Sequence, residues 1–182
     1  MSNTREGRVL IFDTSCLNYF ARTDNLSLLE DRYQGRAFVP AEVIAELEAG
    51  VDDHPELASI IGAGWYEVLR LEEPDDLILF SNLLKRWGEA DRNRGEAATI
   101  VLAKRYGYVA VIDDRVGRQA AEDSGVSITG TIGIIARMVR DGTLTDDEGW
   151  EIHQQMVSIK SGGFRSPITS RADFINFVVG AD

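Results

Sequence analysis

Two stretches decide the fold: Arg8-Val9-Leu10-Ile11-Phe12-Asp13-Thr14-Ser15 and Tyr108-Val109-Ala110-Val111-Ile112-Asp113-Asp114. Each is a short, continuous apolar run that stops at aspartate. A run of this length with no polar alternation reads as a strand covered on both faces, as in a parallel sheet between helical layers. Residues 37–39, 66–69 and 126–128 are weaker strand candidates. Helical patterns lie between them. Pro40 opens one, with Val43, Ile44 and Leu47 apolar and Gly50 as its stop. Residues 96–106 form an Ala-, Ile-, Val- and Leu-rich helix closed by Gly107, residues 115–123 end at Gly125, and residues 132–139 end near Gly142. Strand and helix alternate, which predicts an α/β layer fold with a mainly parallel sheet.

The chain has 182 residues, 44% of them hydrophobic and 27% charged, the size and balance of one globular domain. Its 19 basic and 30 acidic residues leave a net charge of −11, which excludes a protein that coats nucleic acid non-specifically. Cys16 is the single cysteine, so no internal disulfide forms, as in a reducing compartment. With no apolar run near ~18 residues and no signal-peptide core at the start, the expectation is a cytoplasmic protein with no membrane segment. The charge is segregated. Residues 42–76 carry eleven acids against Arg70 alone, whereas residues 85–118 carry eight bases against five acids. The basic stretch is either a solvated helix face or the border of an anionic ligand site.

The informative acids stand where elements begin or end. Asp13 follows the first strand, and Asp113 and Asp114 follow the second. Glu96 opens a helix, and Glu46 lies on the helix opened by Pro40, with Glu42 four residues earlier on the same face. In an open parallel sheet ligands bind outside the carboxyl ends of strands, so these acids would meet at one rim. Carboxylates crowded together repel unless protonated or matched by a cation, and an all-oxygen set suits Mg²⁺ or Mn²⁺. Each acid also has a purely structural reading. Glu96 complements a helix dipole, Asp113 or Asp114 caps the next helix, and Asp13 starts a helix with Thr14 or Ser15. His54, His153 and Cys16 do not have zinc-ligand spacing.

In order along the chain, residues 9–15 with Leu17, the stretch Val39-Pro40-Ala41-Glu42-Val43-Ile44-Ala45-Glu46, Arg94-Gly95-Glu96-Ala97-Ala98, Val111-Ile112-Asp113-Asp114-Arg115 with Arg118, and Thr129-Gly130-Thr131-Ile132-Gly133-Ile134 resemble the PIN domain family. Within it they resemble the VapC-like ribonuclease toxins and their close relatives. Ser161-Gly162-Gly163-Phe164-Arg165 resembles the turn before the final helix of some relatives. The resemblance implies a Rossmann-like three-layer α/β/α sandwich over residues 8–170, with residues 1–7 a tail and residues 171–182 a C-terminal helix or tail. It implies a Mg²⁺- or Mn²⁺-dependent endoribonuclease with Asp13, Glu46, Glu96 and Asp114 as catalytic acids. Asp13, Glu96 and Asp114 would hold the metal, with Asp113 as support or as the alternative fourth acid. Arg115 and Arg118, with Arg92 and Arg94, would grip the RNA backbone, and Ser15 or Thr131 would line the pocket through a hydroxyl. The partners implied are RNA, a cognate antitoxin protein and a second copy in a homodimer. Residues 77–84 and 26–29 are candidate partner surfaces that read equally as core helix faces. Residues 52–88 match nothing in the resemblance.

Two further readings stand beside this one. A PIN-like module that binds RNA or protein without cleaving has the same sequence features but would bind metal weakly or not at all. A haloacid-dehalogenase-like phosphatase also opens on a strand ending in aspartate, but it needs a second aspartate where this chain has Ser15.

Overall fold

The structure is a computed structural model and describes residues 7–88 and 93–180. Strand β1 (Leu10–Phe12) is central. Strand β2 (Ala37–Pro40) pairs with it on one side and β4 (Val109–Val111) on the other, while β3 (Glu67–Leu69) and β5 (Ile128–Thr129) form the edges. All pairings are parallel, in the order β3-β2-β1-β4-β5. Phe12 pairs with Val111, so β1 and β4 end level at the same rim.

Side chains of β1 alternate between two cores. Leu10 and Phe12 enter one and Ile11 the other, and all three are fully buried. Each such burial contributes about 1.5–3 kcal/mol. The first layer holds α1 (Thr14–Arg22), α2 (Leu26–Tyr33), α3 (Ala41–Gly50), a 3₁₀ turn (Pro55–Ser59), α7 (Thr131–Arg140), α8 (Asp146–Val157) and α9 (Arg171–Gly180). The second holds α4 (Pro74–Trp87), α5 (Arg94–Tyr106) and α6 (Arg115–Asp123). The three-layer α/β/α sandwich expected from the sequence is the observed fold.

Three differences from the sequence reading have physical causes. The last strand starts at Ile128 rather than at residue 126, because the Val126 amide donates to the Ala121 carbonyl (2.9 Å) and closes α6. Residues 52–88, which match no motif, supply the 3₁₀ turn, edge strand β3 and helix α4. The boundary drawn at residue 170 does not divide the packing. Helix α9 buries Phe174 completely, and Val178 with it, in the first core. Of residues 1–7, only Gly7 lies within the described residues. No helix among the described residues is long and apolar enough to cross a membrane.

The chain leaves β1 into α1 on one layer and leaves β4 into α6 on the other. Between these two strands the strand order reverses, which opens a crevice at their carboxyl ends. Asp13 begins there on one side, Asp113 and Asp114 on the other.

Candidate active site

Asp13 is the residue before α1 and makes no capping hydrogen bond with its side chain, although its position is the one where a cap is expected. Its amide donates to the Val111 carbonyl (3.2 Å), tying it to the end of β4. Only 6% of Asp13 is exposed. Burial pushes its carboxyl up to about 7; the Glu46 and Asp113 charges add to the rise and the amides of Thr14 and Ser15 oppose it.

Glu46 is held at both oxygens. The Thr14 hydroxyl donates to Oε2, and the Gly95 amide donates to Oε1 at 2.7 Å. A Cβ at Gly95 would stand 2.6 Å from Glu46 Oε2, so a glycine is required for the start of α5 to approach α3 this closely. The same device recurs one layer over. A Cβ at Gly117 would overlap Glu96, 1.9 Å from Oε1, so the Glu96 carboxylate lies directly on the first turn of α6. Burial pushes Glu96 up to about 8, and the charges of Asp13, Asp114 and Glu46 push it further the same way. Acids from α3, α5 and the ends of β1 and β4 therefore share one field at the crevice.

The adjacent aspartates have different work. Asp114 caps α6, accepting from the Val116 amide (2.6 Å) and the Gly117 amide (3.2 Å), and it is exposed. Asp113 accepts from the Thr131 amide (2.8 Å) and the Thr131 hydroxyl (2.6 Å), which fastens β4 to the start of α7. Burial raises the Asp113 pKa against the pull of Thr131 and Arg118. Asp114 acts on Glu96, and Asp113 acts on Asp13. The capping role expected for one of the pair is therefore that of Asp114.

Thr131, expected to line the pocket, is fully buried with its hydroxyl on Asp113, so in this structure it positions an acid. The hydroxyl at the rim of α1 that engages an acid is Thr14; Ser15, the next residue, is half-buried. Thr14 was not singled out because a hydroxyl beside Asp13 carries no signal of the acid on α3 it will meet. Arg118 is beside Asp113 and donates to the Ile112 carbonyl (3.0 Å). Arg115 is exposed on α6, in a depression shared with Arg86 and Trp87. Arg94 sits over the Phe80 ring at 5.2 Å and borders the face of α3 that carries Glu42 and Glu46. Arg92 lies outside the described residues.

Among the described residues, no three Asp, Glu, His or Cys side chains converge closely enough in this arrangement to bind a single ion. Nor does any cationic side chain among them pair with Asp13 or Glu96. Cys16 is buried and its thiol is pushed well up by that burial, so it behaves as a small apolar side chain. His153 is buried against Ser166, remote from the rim acids in sequence.

Comparison with known families matches residues 9–177 to the PIN domain. No curated protein matches the chain, and no solved structure matches it.

Proposed function

Because this chain belongs to the PIN domain family, whose members are generally nucleases, we propose that it is a Mg²⁺- or Mn²⁺-dependent endoribonuclease acting at the carboxylate rim. We place it in the cytoplasm as the toxin of a type II toxin–antitoxin pair, with a cognate antitoxin and a second copy of the chain as partners. The observation that carries the reading is the unrelieved crowding of buried carboxylates. Asp13 and Glu96 are driven up to about 7 and about 8, with no cationic side chain among the described residues to neutralise them.

The residues fit a hard divalent cation. The donors are all oxygen, and Mg²⁺ takes only one or two carboxylates, with water and substrate phosphate completing its shell. Asp13, Glu96 and Asp114 would share it, one or two of them directly and the rest through its water shell, with Asp113 in support. When bound, such an ion supplies acidification of water and neutralisation of charge at the scissile phosphate. The chain's own residues do the rest. Thr14 and Gly95 fix Glu46, whose charge bears on both Asp13 and Glu96. Thr131 fixes Asp113, and the α6 amides fix Asp114. Arg118 and Arg115, with Ser15 at the rim, receive the RNA backbone. Exposed Leu77 and Ile78 support the partner reading of residues 77–84, whereas Phe80, Leu83 and Leu84 of the same stretch are buried in the core.

The test is cleavage of single-stranded RNA by the purified protein with Mn²⁺ or Mg²⁺, with EDTA and Asp13→Asn alongside. Metal-dependent cleavage that is lost in the variant is the expected result. No cleavage, together with no metal-dependent shift in a thermal melt, would replace the reading with a binding module that does not cleave.

A further inference from the structure

A cavity of about 590 Å³ lies behind Asp113, between the β5 edge, α7 and the C-terminal segment, and beyond Asp113 and Arg118 the catalytic reading makes no use of its lining. That volume is typical of a small-ligand pocket. Its lining combines three arginines, Arg118, Arg137 and Arg165, with two phenylalanines, Phe164 and Phe177. Asp113 is the one acid in the lining, and its oxygens are already engaged by Thr131. In a chain of net charge −11 three guanidinium groups are thus gathered beside an apolar wall.

The basic character extends past the cavity. Arg137 is half-buried, and its pKa is lowered first by that burial and next by the like charge of Arg8, with Arg140 and Arg32 adding to it. The planar guanidinium groups suit phosphate oxygens two at a time, and an aromatic wall suits a nucleobase. Asp113 is a wall of the cavity and also acts on Asp13, so a ligand seated there adjoins the acids. An acidic peptide is the other anion to consider. The exposed edge it would join, β5, is only two residues long, too short for strand addition to give much affinity.

We infer that this cavity binds a nucleotide unit, its phosphate held by Arg165, Arg118 and Arg137 and its base against Phe164 and Phe177. The inference rests on the nuclease reading only for the source of that nucleotide, a strand running on from the acids, and not for the binding itself. A free nucleoside monophosphate has the same chemistry.

The experiment measures binding of a fluorescent single-stranded RNA oligomer in EDTA, so that cleavage plays no part, and of AMP by calorimetry. Arg165→Glu, Arg137→Glu and Phe177→Ala are compared with Lys104→Glu, an exposed, charge-matched control on α5. Arg165 is exposed, so Arg165→Glu serves if the half-buried Arg137→Glu fails to fold by circular dichroism. Each arginine variant is expected to weaken RNA binding by about tenfold or more, and Lys104→Glu by less than about twofold. AMP binding with the same sensitivity makes a free nucleotide sufficient; RNA binding alone assigns the site to the strand. Equal effects from the pocket and control variants would overturn the proposal, as would failure of the wild-type chain to bind either probe, or binding of a poly-glutamate peptide in place of both. Cleavage that persists beside arginine-insensitive binding would remove the cavity and leave the nuclease reading. Arginine-dependent binding without any metal-dependent cleavage would do the reverse.

Discussion

Carboxylates in two regions of this molecule are treated in opposite ways. Away from the crevice, four acids among the described residues are partnered and their pKa values fall. Asp123 is lowered by its hydrogen bond from Arg86, Glu148 by the Thr145 amide in the cap of α8, and Asp173 by the Ser170 hydroxyl. Asp141, despite the opposing pull of burial, is held low by Arg32 and Thr143. At the crevice the direction reverses: Asp13, Glu96 and Asp113 are all raised, first by burial, and the nearest charges on Asp13 and Glu96 are other acids. A folded chain that pairs those acids for structure leaves these in mutual repulsion. That arrangement costs stability unless a cation completes it.

The largest expected effect tests the crevice directly. Asp13→Asn keeps the shape and removes the charge, and RNA cleavage should fall by about 10³-fold or more with the fold intact. A variant of equal activity would mean that Asp13 is only a buried acid. Gly117→Ala sharpens the comparison, because its methyl overlaps Glu96 and must expel that carboxylate from the first turn of α6. Cleavage should drop roughly 10²-fold while the melting temperature changes little, since alanine favours a helix. Unchanged kinetics would show that Glu96 works from another position.

The two regions should also separate in their response to pH. Asp13 and Glu96 keep their protons in the folded chain up to about 7 and about 8, whereas the unfolded chain loses them near pH ~4. Across that window the folded state binds more protons, so raising the pH lowers stability. The melting temperature of metal-free protein should drop by roughly 4–8 °C between pH ~5 and pH ~8.5, and Mn²⁺ should restore it at the upper end. Partnered acids act with the opposite sign, but their contribution is already complete above about pH 5, so a melting temperature that does not fall across this window would mean that Asp13 and Glu96 ionise in the folded chain without penalty. The smallest effect belongs to the partnered region. Thr145→Ala breaks the reciprocal cap of α8 and should lower the melting temperature by roughly 2–4 °C without altering cleavage.

Much of this was legible in the chain. The runs at residues 8–12 and 108–112 announced covered strands because a parallel sheet needs apolar side chains on both faces, and their aspartates fell at the ends of adjacent strands. Glycine at positions 50, 107 and 125 marked the end of α3 and the turns closing α5 and α6 where sequence rules put them. Residues 52–88 were not legible. Strand β3 has little apolar pattern, with Glu67 and Val68 both exposed, because an edge strand is only half covered. The partner of the Thr131 hydroxyl was not legible either, because it is an acid eighteen positions earlier, a contact that no local pattern encodes.

The sequence by itself determined the layer architecture, the run of acids at strand and helix ends and the family, because period, capping chemistry and motif order are local properties. Only the tertiary structure decided that Thr14 and Gly95 grip Glu46, that Gly117 admits Glu96, and that Asp113 and Asp114 divide support between Asp13 and Glu96. It alone gathered Arg118, Arg137 and Arg165 around one cavity from three separate segments. Those facts depend on distances between residues remote along the chain, set when β1 and β4 pair and their helices part to opposite layers.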